Sequence, residues 1–122
     1  MTPDILIVDD DPDLRETLQL LLEDCGYHVD VAENGRVALD HLRADAHPRL
    51  ILLDLMMPEM SGGEFLDRAR ADRTLSSIPI VVMTAHRGPS QPPVQGQDVL
   101  YKPFTRANLL AAIERRAGVT VS

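Results

Sequence analysis

The segment LILL at residues 50–53 is apolar at every position, and it constrains the fold more than any other part of the sequence. A strand with one face in water alternates apolar and polar residues, whereas a strand of a parallel sheet has helices on both faces and can be apolar throughout. The segments ILIV at residues 5–8 and IVVM at residues 80–83 have the same character. The sequence therefore predicts a parallel sheet that lies between two layers of helices.

Segments with helical periodicity lie between the apolar runs. The first has one apolar stripe at helical spacing, made of Leu14, Leu18, Leu21, Leu22 and Cys25. Asp11 is expected to cap this helix, with Pro12 at its first position and Gly26 just past its end. Asn34-Gly35 is expected to open a second helix, Gly62-Gly63 to lead into a third, and Thr105 to cap the last. Further strands are predicted at residues 28–32 and 99–101. This order of elements predicts an α/β fold, a doubly wound sheet of five parallel strands.

The sequence between the fourth and fifth strands departs from this alternation. Residues 86–97, HRGPSQPPVQGQ, contain three prolines and two glycines. Proline lacks the backbone N–H that a helix interior needs, and glycine loses more conformational entropy on folding than any other residue. We therefore expect the helix that would join these two strands to be absent or reduced to a turn.

The composition is that of a single globular domain with an acidic surface. The chain has 122 residues, of which 44% are hydrophobic and 25% are charged, and its formal net charge is -7. This charge excludes a protein that binds nucleic acid through bulk positive charge. The single cysteine, Cys25, excludes an internal disulfide, and neither a signal peptide nor a membrane-spanning run is recognisable. The prediction is one cytoplasmic domain over residues 1–122, with its core at about 4–117.

Polar and charged residues follow four of the predicted strands. Asp9 and Asp10 follow the first strand, Asp54 the third, Thr84-Ala85 the fourth and Lys102-Pro103 the fifth. Open α/β sheets bind their ligands beyond the carboxyl ends of the strands. Three carboxylates, one hydroxyl and one ammonium group are therefore expected to meet at one edge of the sheet.

This combination of groups suits a metal ion together with a phosphoryl group. Carboxylates that crowd together repel one another, and a hard divalent cation relieves that repulsion. Mg²⁺ prefers oxygen ligands in octahedral geometry and keeps several waters. The ammonium group of Lys102 can then neutralise a phosphate oxygen, while the hydroxyl of Thr84 and the backbone N–H of Ala85 can donate hydrogen bonds to the others.

The motifs at these strand ends resemble those of a known family. The segments ILIVDDDP, LILLDLMMPEMSG, PIVVMTA and YKPF, in this order, are similar to the receiver domains of two-component response regulators. The resemblance extends over about residues 4–117. It implies a flavodoxin-like fold close to that of chemotaxis regulators, with the strand order 2-1-3-4-5.

The resemblance also implies a role for each residue at the strand ends. Asp54 is expected to be the phosphoacceptor, a carboxylate nucleophile that forms an aspartyl phosphate. Asp9 and Asp10 are expected to hold Mg²⁺, Asp10 directly and Asp9 through water. Asp54 and the backbone carbonyl of Met56 would be further ligands of the ion. Thr84, Lys102 and the backbone N–H of Ala85 are expected to contact the phosphoryl oxygens.

The function implied by the resemblance is signalling by phosphotransfer. A sensor histidine kinase or a phosphotransfer protein would donate a phosphoryl group to Asp54, and the new charge would alter contacts with a downstream protein target. Thr84 would move towards the phosphoryl group and act as a switch residue. Such a domain catalyses only its own phosphorylation and dephosphorylation, so it is not a multiple-turnover enzyme. Direct contact with nucleic acid or a membrane is not expected.

Two features depart from the family pattern. The family usually places tyrosine or phenylalanine three residues before the lysine of the fifth strand, where this chain has Val99. Tyr101 has the same strand parity as Val99, so it can take over part of the switch or be an ordinary surface residue. The segment from Thr84 to Lys102 is also shorter than is usual in the family, which agrees with the missing helix.

Two alternative functions follow from these departures and from the motif itself. A pseudo-receiver, which binds proteins without being phosphorylated, would explain Val99 and the shortened segment, but the complete set of strand-end residues argues against it. An aspartate-nucleophile phosphatase usually has a second aspartate two residues after its nucleophile, as general acid. This chain has Met56 there, which cannot donate a proton.

Overall fold

Strands and helices alternate in the computed structural model, which describes residues 4–44, 48–54, 62–73, 75–84, 98–101 and 104–117. The strands are β1 (Ile5–Val8), β2 (Val29–Ala32), β3 (Leu50–Asp54), β4 (Ile80–Thr84) and β5 (Asp98–Tyr101). The helices are α1 (Pro12–Asp24), α2 (Gly35–Ala44), α3 (Gly62–Ala71) and α4 (Arg106–Ala117). No helix within these ranges combines the length and the apolar character needed to cross a membrane.

The strands form one parallel sheet in the order β2-β1-β3-β4-β5. This confirms the doubly wound sheet that the sequence predicted and the strand order that the family resemblance implied. Because all strands run in one direction, their carboxyl ends lie at the same edge of the sheet, where ligands of such folds bind.

The core lies on both faces of the sheet. Every residue from 50 to 53 in β3 is at most 1% exposed. Ile51 belongs to the apolar cluster that contains Phe65 of α3, whereas Leu52 belongs to the cluster that contains Ile113 of α4. Successive side chains of a strand point to opposite faces, so a strand covered on both sides must be apolar at every position.

Three helices begin at a capping side chain: Asp11 and Thr105, which the sequence predicted as caps, and Asn34, which it predicted only to open a helix. A side-chain oxygen at the cap accepts a hydrogen bond from a backbone N–H of the first turn, which has no partner within the helix. At the start of α1, the carboxylate of Asp11 accepts a hydrogen bond from the N–H of Asp13, at 3.0 Å. The bonds at the third helical residue are Leu14 N to Asp11 Oδ1 (3.4 Å), Val37 N to Asn34 Oδ1 (2.9 Å) and Asn108 N to Thr105 Oγ1 (3.0 Å).

The end of α1 is set by Gly26. Its φ of 97° lies in the left-handed region, which glycine adopts without the steric cost that a side chain brings. The N–H of Gly26 donates to the carbonyl of Glu23 at 3.0 Å, and the N–H of Tyr27 donates to the carbonyl of Leu22 at 3.1 Å. This pair of bonds is the Schellman motif, which stops the helix and turns the chain towards β2.

One expectation about the fold concerns residues 86–97, which lie outside the described residues. The reduced helix between β4 and β5 therefore stays a prediction. The helix that follows β5, α4, is the last helix that the sequence predicted.

The hydroxyl of Tyr27 is buried in the core without a hydrogen-bond partner among the described residues. The residue is 6% exposed and belongs to the cluster between the sheet and the helices α1 and α4. Burial, together with the negative charges of Glu114, Cys25 and Asp4, raises the pKa of Tyr27 above its ordinary value. A buried polar group without a partner costs free energy, so this hydroxyl opposes folding.

Replacing Tyr27 with phenylalanine should increase the free energy of unfolding by about 1 kcal/mol at neutral pH. The pKa of Tyr27 is raised in the folded state, so its hydroxyl loses the proton more easily in the unfolded chain. The free energy of unfolding should therefore be unaffected by this titration below about pH 10 and should fall as the pH rises further. Tyr27→Phe should remove that part of the fall. Urea unfolding of both proteins between neutral pH and pH 11 measures it, and curves of identical shape would contradict the prediction.

Candidate functional site

Residues that are far apart in the sequence meet at the carboxyl edge of the sheet. The register pairs Val8 of β1 with Leu53 of β3, and Leu53 with Val82 of β4. The next residues along β1 and β3 are Asp9 and Asp54, which therefore stand at the same level on neighbouring strands. Asp9 and Asp54 thus meet at one edge of the sheet, as their places after the predicted strands indicated.

Asp9, Asp10 and Asp54 form one acidic cluster. Each offers a carboxylate oxygen, and the three oxygens lie within 4.8 Å of one another. Asp9 is 0% exposed and Asp54 is 5% exposed, whereas Asp10 is exposed to solvent. The cluster thus has two buried carboxylates and one that faces water.

Hydrogen bonds hold the carboxylate, the backbone N–H and the backbone carbonyl of Asp9. Its carboxylate accepts from the backbone N–H of Asp11 at 2.9 Å. Its backbone N–H donates to the carbonyl of Ala32 in β2 at 3.1 Å, and its backbone carbonyl accepts from the guanidinium Nη1 of Arg15 at 2.8 Å. The position of Asp9 is therefore set before any ligand arrives.

The electrostatics of the acidic cluster favour a divalent cation. Two unit charges about 4 Å apart repel each other by about 4 kcal/mol at an effective dielectric constant of about 20. Three carboxylates this close, two of them buried, could hold a metal ion that offsets the repulsion. Among the described residues, the donors of the cluster are carboxylate oxygens, the ligands of hard ions such as Mg²⁺, and neither histidine nor cysteine belongs to it.

Thr84, the last residue of β4, lies at the same edge and is 2% exposed. Its register partner on β5 is Tyr101, which is 42% exposed. Val99 instead pairs with Val82 and packs against the core beneath α2 and α3. The residue of β5 that stands opposite Thr84 is therefore Tyr101, one of the two positions that the sequence singled out for the switch.

Several predicted site residues lie outside the described residues. These are Met56, Ala85 and Lys102. Their roles as metal ligand and phosphate contacts stay predictions from the sequence.

One residue of this region escaped the sequence analysis. Arg15 lies in the first turn of α1, where the helix dipole disfavours a positive charge. A cation at the start of a helix, four residues after a run of three aspartates, was the signal in the sequence that pointed to it. Its hydrogen bond to the carbonyl of Asp9 connects it to the acidic cluster.

Comparison with known proteins points to one family. The sequence pattern of the response regulator receiver domain matches residues 5–114. The response regulator Rre1 of Synechocystis sp. is 39% identical over an alignment of 115 residues that covers 89% of this chain and 49% of that protein. The chain spans about half the length of the curated relatives that it matches first.

Solved structures agree with the sequence comparison. The chemotaxis protein CheY4 of Vibrio cholerae matches with a TM-score of 0.84 at 30% identity, covering 95% of this chain and 99% of that one. The receiver domain of the sensor histidine kinase PA1611 from Pseudomonas aeruginosa matches with a TM-score of 0.82 at 26% identity, covering 98% of this chain and 100% of that one. In that structure a magnesium ion is coordinated in the active-site cleft.

Proposed function

Because this chain belongs to the response regulator receiver domain family of two-component signalling, we propose that it accepts a phosphoryl group on Asp54 and thereby changes its contacts with other proteins. The observation that carries the proposal is the cluster of Asp9, Asp10 and Asp54 at the carboxyl edge of the sheet. No other role explains as well why two carboxylates are buried within reach of a third.

Asp54 is the proposed phosphoacceptor. It ends β3, the central strand of the sheet, and its carboxylate lies beside two others. A carboxylate oxygen of Asp54 bonds to phosphorus while the phosphorus–nitrogen bond of a phosphohistidine breaks, and the imidazole leaves with the electron pair. Water later hydrolyses the acyl phosphate, which returns the free carboxylate.

Asp9 and Asp10 are the proposed holders of Mg²⁺, together with Asp54 and the carbonyl of Met56. The carboxylate oxygens of the cluster fit this ion, and the receiver domain of PA1611 contains it in its own active-site cleft. When bound, the ion supplies positive charge that offsets the repulsion between the carboxylates and the phosphoryl oxygens. The hydrogen bonds of Asp9 to Asp11 and Ala32 hold it in place without a bound ion.

The proposed switch begins at Thr84. Its hydroxyl, with the N–H of Ala85 and the ammonium group of Lys102, donates to the phosphoryl oxygens once Asp54 is modified. The position of Tyr101 opposite Thr84 supports a part for this tyrosine in transmitting the change, in place of the aromatic residue that Val99 replaces. The ring of Tyr101 is 42% exposed at the end of β5, so a shift of this ring would alter the surface that a partner protein contacts.

The proposed partners follow from this chemistry. The phosphodonor is a sensor histidine kinase or a phosphotransfer protein, and the receiver of the signal is a downstream protein. The domain works as a switch that turns over only its own phosphoryl group, so steady hydrolysis of other substrates is not expected.

The decisive experiment is incubation of the protein with acetyl phosphate and Mg²⁺, followed by intact mass spectrometry. We expect a mass gain of one phosphoryl group that is lost when EDTA removes the metal beforehand. An absence of any mass gain, with acetyl phosphate and with phosphorylated kinases alike, would favour the pseudo-receiver. Steady turnover of small phosphate esters would instead identify a phosphatase.

A further inference from the structure

Arg15 binds the peptide backbone on both sides of Asp10. Its guanidinium Nη1 donates to the carbonyl of Asp9 at 2.8 Å, and its backbone N–H donates to the carbonyl of Asp11 at 2.9 Å. Asp10 is the exposed member of the acidic cluster, and it lies between these two anchored carbonyls. The bond to Asp11 is the first backbone bond of α1 and does not depend on the side chain at position 15. The restraint that the arginine side chain adds to the turn is the bond to the carbonyl of Asp9.

The position of Arg15 at the start of α1 costs free energy in two ways. A positive charge in the first turn of a helix opposes the helix dipole, and long charged side chains lose rotamer freedom when they are held in one place. The guanidinium of Arg15 is nevertheless partly buried and directed at a backbone carbonyl. The neighbouring carboxylates of Asp9 and Asp11 offset part of the electrostatic cost.

We propose that Arg15 is a positioning residue of the metal site: its bond to the carbonyl of Asp9 holds the turn between β1 and α1 so that Asp9 and Asp10 stand ready to bind the ion beside Asp54. The inference rests on the proposed function. Loss of a group that orients the ligands of a metal typically weakens metal binding by about 10- to 100-fold.

The charge of Arg15 has the opposite effect on metal binding. A positive group close to the acidic cluster repels a second cation, so removing the charge alone would strengthen the binding of Mg²⁺. Weaker binding by a folded protein without Arg15 therefore cannot come from the lost charge, and it indicates loss of the positional restraint. This difference in sign separates the two roles.

The test compares Mg²⁺ binding to wild type, Arg15→Met, Arg15→Lys and Arg36→Met by isothermal titration calorimetry. Arg36 is a matched control because it is an exposed arginine in the first turn of α2, which also follows a strand of the sheet. We expect the dissociation constant to rise about ten-fold in Arg15→Met and by less in Arg15→Lys, which keeps one donor and the charge. Arg36→Met should equal wild type.

A second measurement keeps a folding defect apart from the proposed role. Thermal unfolding in Mg²⁺-free buffer gives the stability of each variant, and the rate of phosphorylation by acetyl phosphate gives its dependence on Mg²⁺ concentration. We expect Arg15→Met to need more Mg²⁺ for half its maximal rate while reaching nearly the wild-type rate at saturation.

Three results would overturn the inference. They are an unchanged dissociation constant in Arg15→Met, tighter binding in Arg15→Met, and an equal weakening in Arg36→Met. If the wild-type protein itself bound no Mg²⁺, the metal site of the proposed function would fail along with the role of Arg15.

Discussion

An Asp54→Asn protein should gain no phosphoryl group from acetyl phosphate and Mg²⁺, whereas the wild-type protein gains one. The side-chain amide is neutral, so its oxygen is a much weaker nucleophile than a carboxylate oxygen. Asparagine has nearly the same shape as aspartate, so the packing at the end of β3 should be retained. Intact mass spectrometry under identical conditions measures the difference, and a complete loss of the mass gain is expected.

The control for this experiment is Asp30→Asn. Asp30 is an exposed aspartate of β2, so its replacement changes the net charge equally without touching the acidic cluster. It should gain mass like the wild type. Phosphorylation of Asp54→Asn at the wild-type level would show that another residue accepts the group and would contradict the assignment of Asp54.

Replacing Asp10 with asparagine should lower the affinity for Mg²⁺ by more than about 100-fold, beyond the usual effect of groups that merely orient metal ligands. Asp10 is exposed, so the change removes a charged ligand without opening a cavity. In Mg²⁺-free buffer the variant should be at least as stable as wild type, because one of three mutually repelling charges is gone.

The stabilisation by Mg²⁺ reports this effect without any phosphodonor. A ligand at about 100 times its dissociation constant stabilises the folded state by about 2.7 kcal/mol. At the same concentration, a variant with about 100-fold weaker binding retains only about 0.4 kcal/mol. Urea unfolding of Asp10→Asn with and without Mg²⁺ should show this loss. Asp40→Asn on the exposed face of α2 should behave as wild type, and an undiminished effect of Mg²⁺ on Asp10→Asn would exclude Asp10 as a ligand.

The elements of the fold were predictable because their signals are local. The all-apolar segment at residues 50–53 indicated a strand with helices on both faces, and it is buried on both faces. Asp11 and Gly26 bound α1 as expected, since a capping carboxylate and a left-handed glycine depend only on adjacent backbone. The resemblance to receiver domains, drawn from short motifs, is confirmed by the match over residues 5–114.

The membership of the acidic cluster was also predictable, though less directly. Asp9, Asp10 and Asp54 follow apolar strands, and parallel strands bring their carboxyl ends to one edge. Which carboxylates are buried could not be predicted in this way. Burial depends on the helices and turns packed around the edge, and these left Asp9 fully enclosed but Asp10 in contact with water.

The contacts of Arg15 and Tyr101 needed the tertiary structure. Strand parity places Val99 and Tyr101 on the same face, but only the register between β4 and β5 shows that Tyr101 is the residue opposite Thr84. A helix sequence likewise does not reveal where a long side chain ends. The bond from Arg15 to the carbonyl of Asp9 depends on how α1 leaves β1.

The amino-acid sequence thus determined the order of strands and helices, their caps, and the carboxylates that meet at the edge of the sheet. These properties follow from periodicity, from backbone preferences and from the uniform direction of parallel strands, which act over a few residues or hold for every such fold. The tertiary structure decided the burial of each carboxylate, the restraint of the turn at Asp10, and the partner of Thr84. These depend on register and on side-chain directions between distant segments, which are settled only when the whole core has packed.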